Sequence, residues 1–181
     1  MSFKAFVKVF LKKVFKVGPE TIEDYRKRGV RIGENVELIS CDVDYGHGYL
    51  IEIGDNCIIT HTTILSHDAS TKIHLGYSKV GRVKIGSNVF IGQGSVVLPG
   101  VTIGDNVVVG AGTVVRDDIP DNSVVMGNPM KIICTMEHYI EKHKQNMLTY
   151  PVYTTYWEDK SEEEKQKMIK DLEGGRIGYD V

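Results

Sequence analysis

The chain has 181 residues, enough for one domain with a sizeable core plus an appendage and too few for two independent enzyme domains. Lys and Arg number 22 against 24 Asp and Glu, a net charge of −2, which argues against a surface built around nucleic-acid phosphates. Cys41, Cys57 and Cys134 show no CxxC spacing and accompany no recognisable secretory signal, and no apolar run reaches the roughly 20 residues that cross a bilayer, so a reduced, cytoplasmic setting is expected.

Residues 2–16, SFKAFVKVFLKKVFK, place Phe3, Phe6, Val7, Phe10, Leu11, Val14 and Phe15 on one helical face, with Lys4, Lys8, Lys12 and Lys16 largely off it. Such a basic amphipathic helix serves as an end cap or subunit contact, or as a peripheral membrane anchor. Gly18-Pro19 ends it, and residues 1–29 are read as this helix and its linker.

A six-residue beat then takes over. It begins weakly at Ile32-Gly33, is disturbed over Asp44–Glu52, and resumes at Ile53, Ile59 and Leu65. A 14-residue break, Thr71–Lys84, reads as an extruded loop. Beyond it Ile85, Ile91, Val97, Ile103, Val109 and Val115 fall at equal steps, with Gly86, Gly92, Gly104 and Gly110 following four of them. Neither a helix nor a flat strand has this period; a stacked parallel β-coil does. Three six-residue faces make a coil of about 18 residues, each stacked about 4.8 Å from the last. The fifth places, Val89, Ser95, Val101, Val107, Thr113 and Ile119, are mostly smaller and also point inward. Asn56, Asn88 and Asn106 fall at corners, where Asn tolerates positive φ. The coil is assigned to 30–133.

Residues 134–181 form a helical extension: Thr135–Leu148 reads as a helix stopped by Tyr150-Pro151, and Ser161-x-x-Glu164 is a capping box opening a second, charged helix.

The units IGSNVF, IGQGSV, VLPGVT, IGDNVV and VGAGTV resemble those of the hexapeptide-repeat acyltransferases. The stretch IGSNVFIGQGSVVLPGVTIGDNVVVGAGTVVRDDIPDNSVVMGNPMKII is similar to the carboxyl half of the sugar and antibiotic O-acetyltransferases of that superfamily. The resemblance covers roughly residues 30–133. It implies an all-β solenoid of the left-handed parallel β-helix type, acetyl-CoA as co-substrate, and a homotrimer with active sites between subunits. The expected reaction is acetyl transfer to a hydroxyl of a sugar or sugar-containing precursor. Within the same chemistry stand an antibiotic or serine hydroxyl.

His67, directly before the long loop, matches the position of the family's general base, a role suited to imidazole because it titrates near neutrality. Asp68, Asp42 or Asp44 would orient it; the spacing does not choose, and Asp68 is the first to test. No Ser or Cys is evidently paired with a base, so direct attack by the acceptor is expected rather than a covalent acetyl-enzyme. For the donor, the resemblance implicates main chain at Gly110-Ala111-Gly112, and Lys131 of the Gly127-Asn128-Pro129-Met130-Lys131 element for the phosphates, joined by Arg116. Asp117 stands where a Lys often follows in the family. No metal is expected in that chemistry. Two other classes compete: a trimeric zinc enzyme of the γ-carbonic anhydrase type using His61, His67 and His74, and a non-catalytic β-helical scaffold.

Overall fold

The computed structural model describes residues 20–181, which fall into two compact units meeting at Met136/Glu137. The amphipathic segment 2–16 lies outside the described residues. No helix among them is long and apolar enough to cross a membrane.

The first unit is a coil that visits three parallel sheets in turn. One sheet stacks strands Arg31–Ile32, Ile51–Ile53, Val83–Ile85 and Thr102–Ile103. A second stacks Glu37–Ile39, Ile58–Thr60, Phe90–Ile91, Val108–Val109 and Ser123–Met126. The third stacks Asp42–Val43, Thr63–Ile64, Val96–Val97 and Val114–Val115. Inward-facing aliphatic residues of successive strands stack, so Ile53, Ile85 and Ile103, Ile59, Ile91 and Val109, and Ile64, Val97 and Val115 form three columns, each residue at most 2% exposed. Burying such a side chain stabilises the fold by about 1.5–3 kcal/mol. The fifth-place residues are buried as expected, and the polar ones are satisfied: Ser95 Oγ donates to the Gly92 carbonyl at 2.8 Å and Thr113 Oγ1 to the Gly110 carbonyl.

Register measures how regular each coil is. Ile85 pairs with Ile103, Ile91 with Val109 and Val97 with Val115, the expected repeat. Ile53 pairs with Ile85 across the loop and Val43 with Ile64 across the earlier disturbance. Three departures from the sequence reading follow. Ile64, not Leu65, takes the inward seat, because the corner at His61 (φ 42°) uses one residue fewer than the later corner at Gly94 (φ 77°). Ile119 bridges to Ile103 and fills the next strand's seat rather than a fifth place, so the last coil is shorter. The loop opens at His67 rather than Thr71, since His67–Asp68 pairs antiparallel with Lys79–Val80 and Gly81 N–H donates to the Ser66 carbonyl. The loop itself carries two short helical turns, Ala69–Thr71 and Lys72–Leu75.

One corner is held by a ladder. Asn35, Asn56, Asn88, Asn106 and Asn122 all have φ between 53° and 57°, and each amide donates to the next at 3.1–3.3 Å. The glycines beside it allow close stacking: a Cβ on Gly86 would come within 2.7 Å of the Gly104 carbonyl oxygen, and one on Gly54 equally near that of Gly86. The ends are covered. Strand Lys131–Thr135 lies antiparallel on Ser123–Met126, and the short helix Ile22–Lys27, capped by Thr21, buries Tyr25, whose hydroxyl donates to the Cys41 carbonyl at 2.8 Å. That helix falls within the segment read as linker.

The second unit contains most of the helix Met136–Met147, the helix Glu162–Asp171 and a two-stranded sheet of Val152–Tyr153 and Tyr179–Asp180. The capping box is present, Glu164 N–H donating to Ser161 Oγ and Ser161 N–H to the Glu164 carboxylate. Lys160, 8% exposed, is paired with Asp180 at 2.7 Å and also donates to the Thr155 carbonyl.

Candidate active site

The two interruptions of the beat sit at the same corner, between the third and first sheets, on successive coils. Asp44 follows Val43 on one coil and Leu65-Ser66-His67 follows Ile64 on the next, and the register of Val43 with Ile64 sets them side by side. There His67 Nδ1 lies 2.5 Å from Asp44 Oδ2. A carboxylate oxygen only accepts, so Nδ1 carries the proton and Nε2 is left as the basic nitrogen.

The Asp44 side chain has no solvent exposure, and its two oxygens are filled with donors. Oδ1 accepts from the Gly46 and His47 N–H groups, both at 3.1 Å. Oδ2 accepts from the Ser66 N–H, the Ser66 hydroxyl and the His67 N–H, each at 3.0 Å, besides the imidazole. Burial alone would raise the carboxyl's pKa, but the bonds from the His67 ring, from Ser66 and from His47 outweigh it and hold the group well below the usual range. It is an ionised carboxylate in a dry, fully bonded seat.

Asp68 does not fill that role. Its carboxylate pairs with Lys79 at 2.6 Å and accepts the Ser70 N–H at 2.8 Å, contacts that lower its pKa to about 2 and hold it at the root of the loop hairpin. The carboxylate in contact with the His67 imidazole is therefore Asp44 rather than Asp68: the residue beside His67 in sequence pairs along the antiparallel hairpin, whereas the one a coil earlier meets the ring. Asp42 is exposed on its strand.

His67 lines a cleft of about 790 Å³ whose walls include Leu65, Ala69, Val80, Leu98 and Pro99, with Lys79 and Arg116 among its polar residues. Arg116 thus shares a cleft with His67, and its guanidinium also pairs with Asp117 at 3.0 Å. Gly110-Ala111-Gly112 turns the corner between the second and third sheets, and Gly127 N–H donates to Thr113 Oγ1, so this turn and the Gly127–Lys131 hairpin adjoin. Lys131 is exposed. The turn and the hairpin come together with each other, at a different corner from His67.

His61 forms an exposed corner and His74 sits in the exposed turn Lys72–Leu75. Neither joins His67 within one chain. Among the described residues, the group whose possible metal-ligating atoms lie within 4.8 Å of one another is Asp44, His47 and His67. His47 went unnoticed in the sequence; the available signal was its place inside a disturbance of the same phase as the one after His67.

A coil of six-residue repeats is what the hexapeptide-repeat acyltransferases share, and the chain belongs to that family. The model described as bacterial transferase hexapeptide (six repeats) matches residues 82–117. Protein CapG of Staphylococcus aureus is 44% identical over 146 residues, covering 77% of this chain and 84% of that one. A maltose O-acetyltransferase from Clostridium difficile 630 has a similar structure, with 30% identity, a TM-score of 0.50 and coverage of 72% and 84%. A galactoside acetyltransferase in complex with coenzyme A, at 24% identity and a TM-score of 0.50 over 74% and 80% of the two chains, shares the fold.

Proposed function

We propose that this protein transfers an acetyl group from acetyl-CoA to a hydroxyl of a sugar or sugar-containing precursor, with His67 as general base and Asp44 as its positioning partner. The contact between the buried Asp44 carboxylate and the cleft-lining His67 imidazole carries this reading. Similarity to a maltose O-acetyltransferase supports a sugar hydroxyl as acceptor. The coil is taken to wind left-handed, as the family resemblance implies.

In this reading Asp44 keeps the Nδ1 proton in place and stabilises the imidazolium that forms when Nε2 takes the acceptor's proton. The acceptor oxygen attacks the thioester carbonyl as it loses that proton, and the imidazolium returns it to the departing sulfur. No covalent enzyme intermediate is needed. The apolar walls of the cleft exclude water from the reacting thioester.

The acetyl-CoA donor is assigned to the Gly110–Gly112 turn, Lys131 and Arg116. A Cβ on Gly112 would meet nothing within 4 Å, so the outer side of the Gly110–Gly112 turn is open to a ligand lying against main chain. Lys131, exposed on the adjoining hairpin, and Arg116, on the His67 cleft, supply cations for phosphate. Because the glycine turn and the His67 cleft occupy different corners, the reading includes a homotrimer in which one subunit's turn and hairpin face the next subunit's cleft.

Acetyl transfer from acetyl-CoA, screened by mass over mono- and oligosaccharides and nucleotide-linked sugars, tests the reading. An acetylated sugar whose formation is abolished by His67→Ala supports it. Absence of coenzyme A binding together with no acetylated sugar sinks it.

A further inference from the structure

The segment Tyr45–Leu50 is what makes the first coil longer than the regular ones, and it delivers one side chain to the site. His47 heads the short helical turn Gly48–Leu50. Its position is locked from behind: a Cβ on Gly48 would come within 2.7 Å of the Arg28 carbonyl oxygen and 3.0 Å of Val30 Cγ2, so the main chain is pressed against the Arg28–Val30 segment. From there the His47 N–H donates to Asp44 Oδ1, and its carbonyl lies 3.1 Å from the Ser66 hydroxyl, whose one proton it shares with Asp44 Oδ2. Its imidazole ring lies 4.9 Å from that of His67, centroid to centroid, tilted by 38°.

The side chain makes no hydrogen bond to account for this placement. His47 Nδ1 is buried without a hydrogen-bond partner and stands 3.7 Å from Asp44 Oδ1, beyond hydrogen-bond range. What the ring does offer is a surface. A single hydrogen bond at Nδ1 leaves the His67 ring free to pivot about that bond, and a neighbouring ring 4.9 Å away, centroid to centroid, restricts that freedom.

We propose that His47 is a positioning residue for His67: packed against the imidazole, it fixes the ring orientation in which Asp44 holds Nδ1 and Nε2 meets the acceptor hydroxyl. The proposal rests on the reading of His67 as general base. The His47 main-chain bonds to Asp44 and Ser66 survive any side-chain change, so substitution isolates the contribution of the ring.

The test uses the full-length protein labelled with ¹⁵N in its histidine rings, comparing wild type with His47→Ala and His47→Phe. Wild type is expected to show His67 as one tautomer with Nδ1 protonated and narrow ring signals, His47→Ala to keep that tautomer with broadened and shifted ring signals, and His47→Phe to restore the wild-type pattern. In acetyl transfer, His47→Ala should lower kcat by about 10–100-fold, the scale of a misplaced catalytic group, with KM for acetyl-CoA unchanged, and His47→Phe should recover most of it. Unchanged His67 signals in His47→Ala, or His47→Phe behaving like His47→Ala, overturns the proposal. Full transfer activity in His67→Ala would instead overturn the reading of the base itself, which separates the two failures. Urea unfolding of both His47 variants guards against a folding defect, and a lowered kcat with broadened His67 signals at an unchanged urea midpoint is the result a merely structural role would not give.

Discussion

Replacing Asp44 by Asn tests the site through stability and rate at once. The two Asp44 oxygens face only donors: two N–H groups on Oδ1, and two N–H groups, a hydroxyl and the imidazole on Oδ2. An amide presents one oxygen and one NH₂, so whichever way it turns, its donor side confronts at least two N–H groups with no acceptor. The Ser66 hydroxyl can rotate to relieve its own share; the main-chain groups cannot. At about 1–3 kcal/mol for each buried donor left unmade, the variant should lose about 2–6 kcal/mol of stability at neutral pH. Urea unfolding followed by circular dichroism measures this, and His67-dependent transfer should fall by about 10²–10⁴-fold, because the imidazole loses the acceptor that fixes its tautomer.

The pH dependence gives the same argument a sign. Folding holds the Asp44 carboxyl well below its unfolded value, which is about 3.9 for Asp. A depressed carboxyl contributes stability that is fully present above the unfolded value and is lost as pH falls through that value towards the folded one. The gap between wild type and Asp44→Asn should therefore be constant from about pH 5 upward and shrink below about pH 4. A loss under about 1 kcal/mol at pH 7 would show that the carboxylate is not the hub of this corner, as would a gap that widens in acid. Asp68 lines the His67 cleft but has its carboxylate bonded to Lys79 and Ser70 and not to the His67 ring, so Asp68→Asn should lower the transfer rate far less than Asp44→Asn.

Other changes probe the base and the coil separately. His67→Ala should still fold, with a urea midpoint lowered by the loss of one bond to Asp44, and lower kcat by about 10²–10⁴-fold; retained activity would remove it as base. Gly86→Ala should destabilise by about 1–3 kcal/mol, since its Cβ would press on the Gly104 carbonyl of the next coil, and an unchanged thermal midpoint would count against that packing. Asn88→Gly keeps the positive φ and loses only the amide ladder, whereas Asn88→Ala loses both; Ala should be the less stable by about 1–2 kcal/mol in urea unfolding, and equal midpoints would show that backbone conformation is not limiting there.

What the sequence disclosed follows from which forces act along it. Period six was legible because each hexad repeats one local problem: an aliphatic residue inside, a small one four places on, and a corner that wants Asn or Gly. Ile85 to Val115 solve it identically, and the structure keeps them in step. The slips at Ile64 and Ile119 were hidden because they depend on how many residues a corner consumes, which is settled by the coil stacked next to it. The helices flanking Pro151 were legible for a different reason, namely local capping: the Ser161–Glu164 box forms as its spacing implies.

The site was half legible by the same logic. His67 stood out because it matches the position of the family's general base just before the broken beat, but its partner could not be chosen, because Asp44, Asp42 and Asp68 differ in sequence only by offset. The choice depends on register. With Val43 over Ile64, residue 44 falls beneath Ser66 and His67, while residue 42 lies before the corner and residue 68 already belongs to the hairpin with Lys79. That makes the two interruptions a single device. A regular corner has no room for a carboxylate with several main-chain donors, since each coil closes on the next within one strand spacing. Extra residues after Asp44 bring Gly46 and His47 N–H groups onto Oδ1, and extra residues after Ser66 free His67 to cover Oδ2. Deleting Tyr45–Leu50 down to the length of a regular corner should therefore preserve the coil while abolishing transfer, a loss that transplanting His67 alone onto a later, regular coil would not repair.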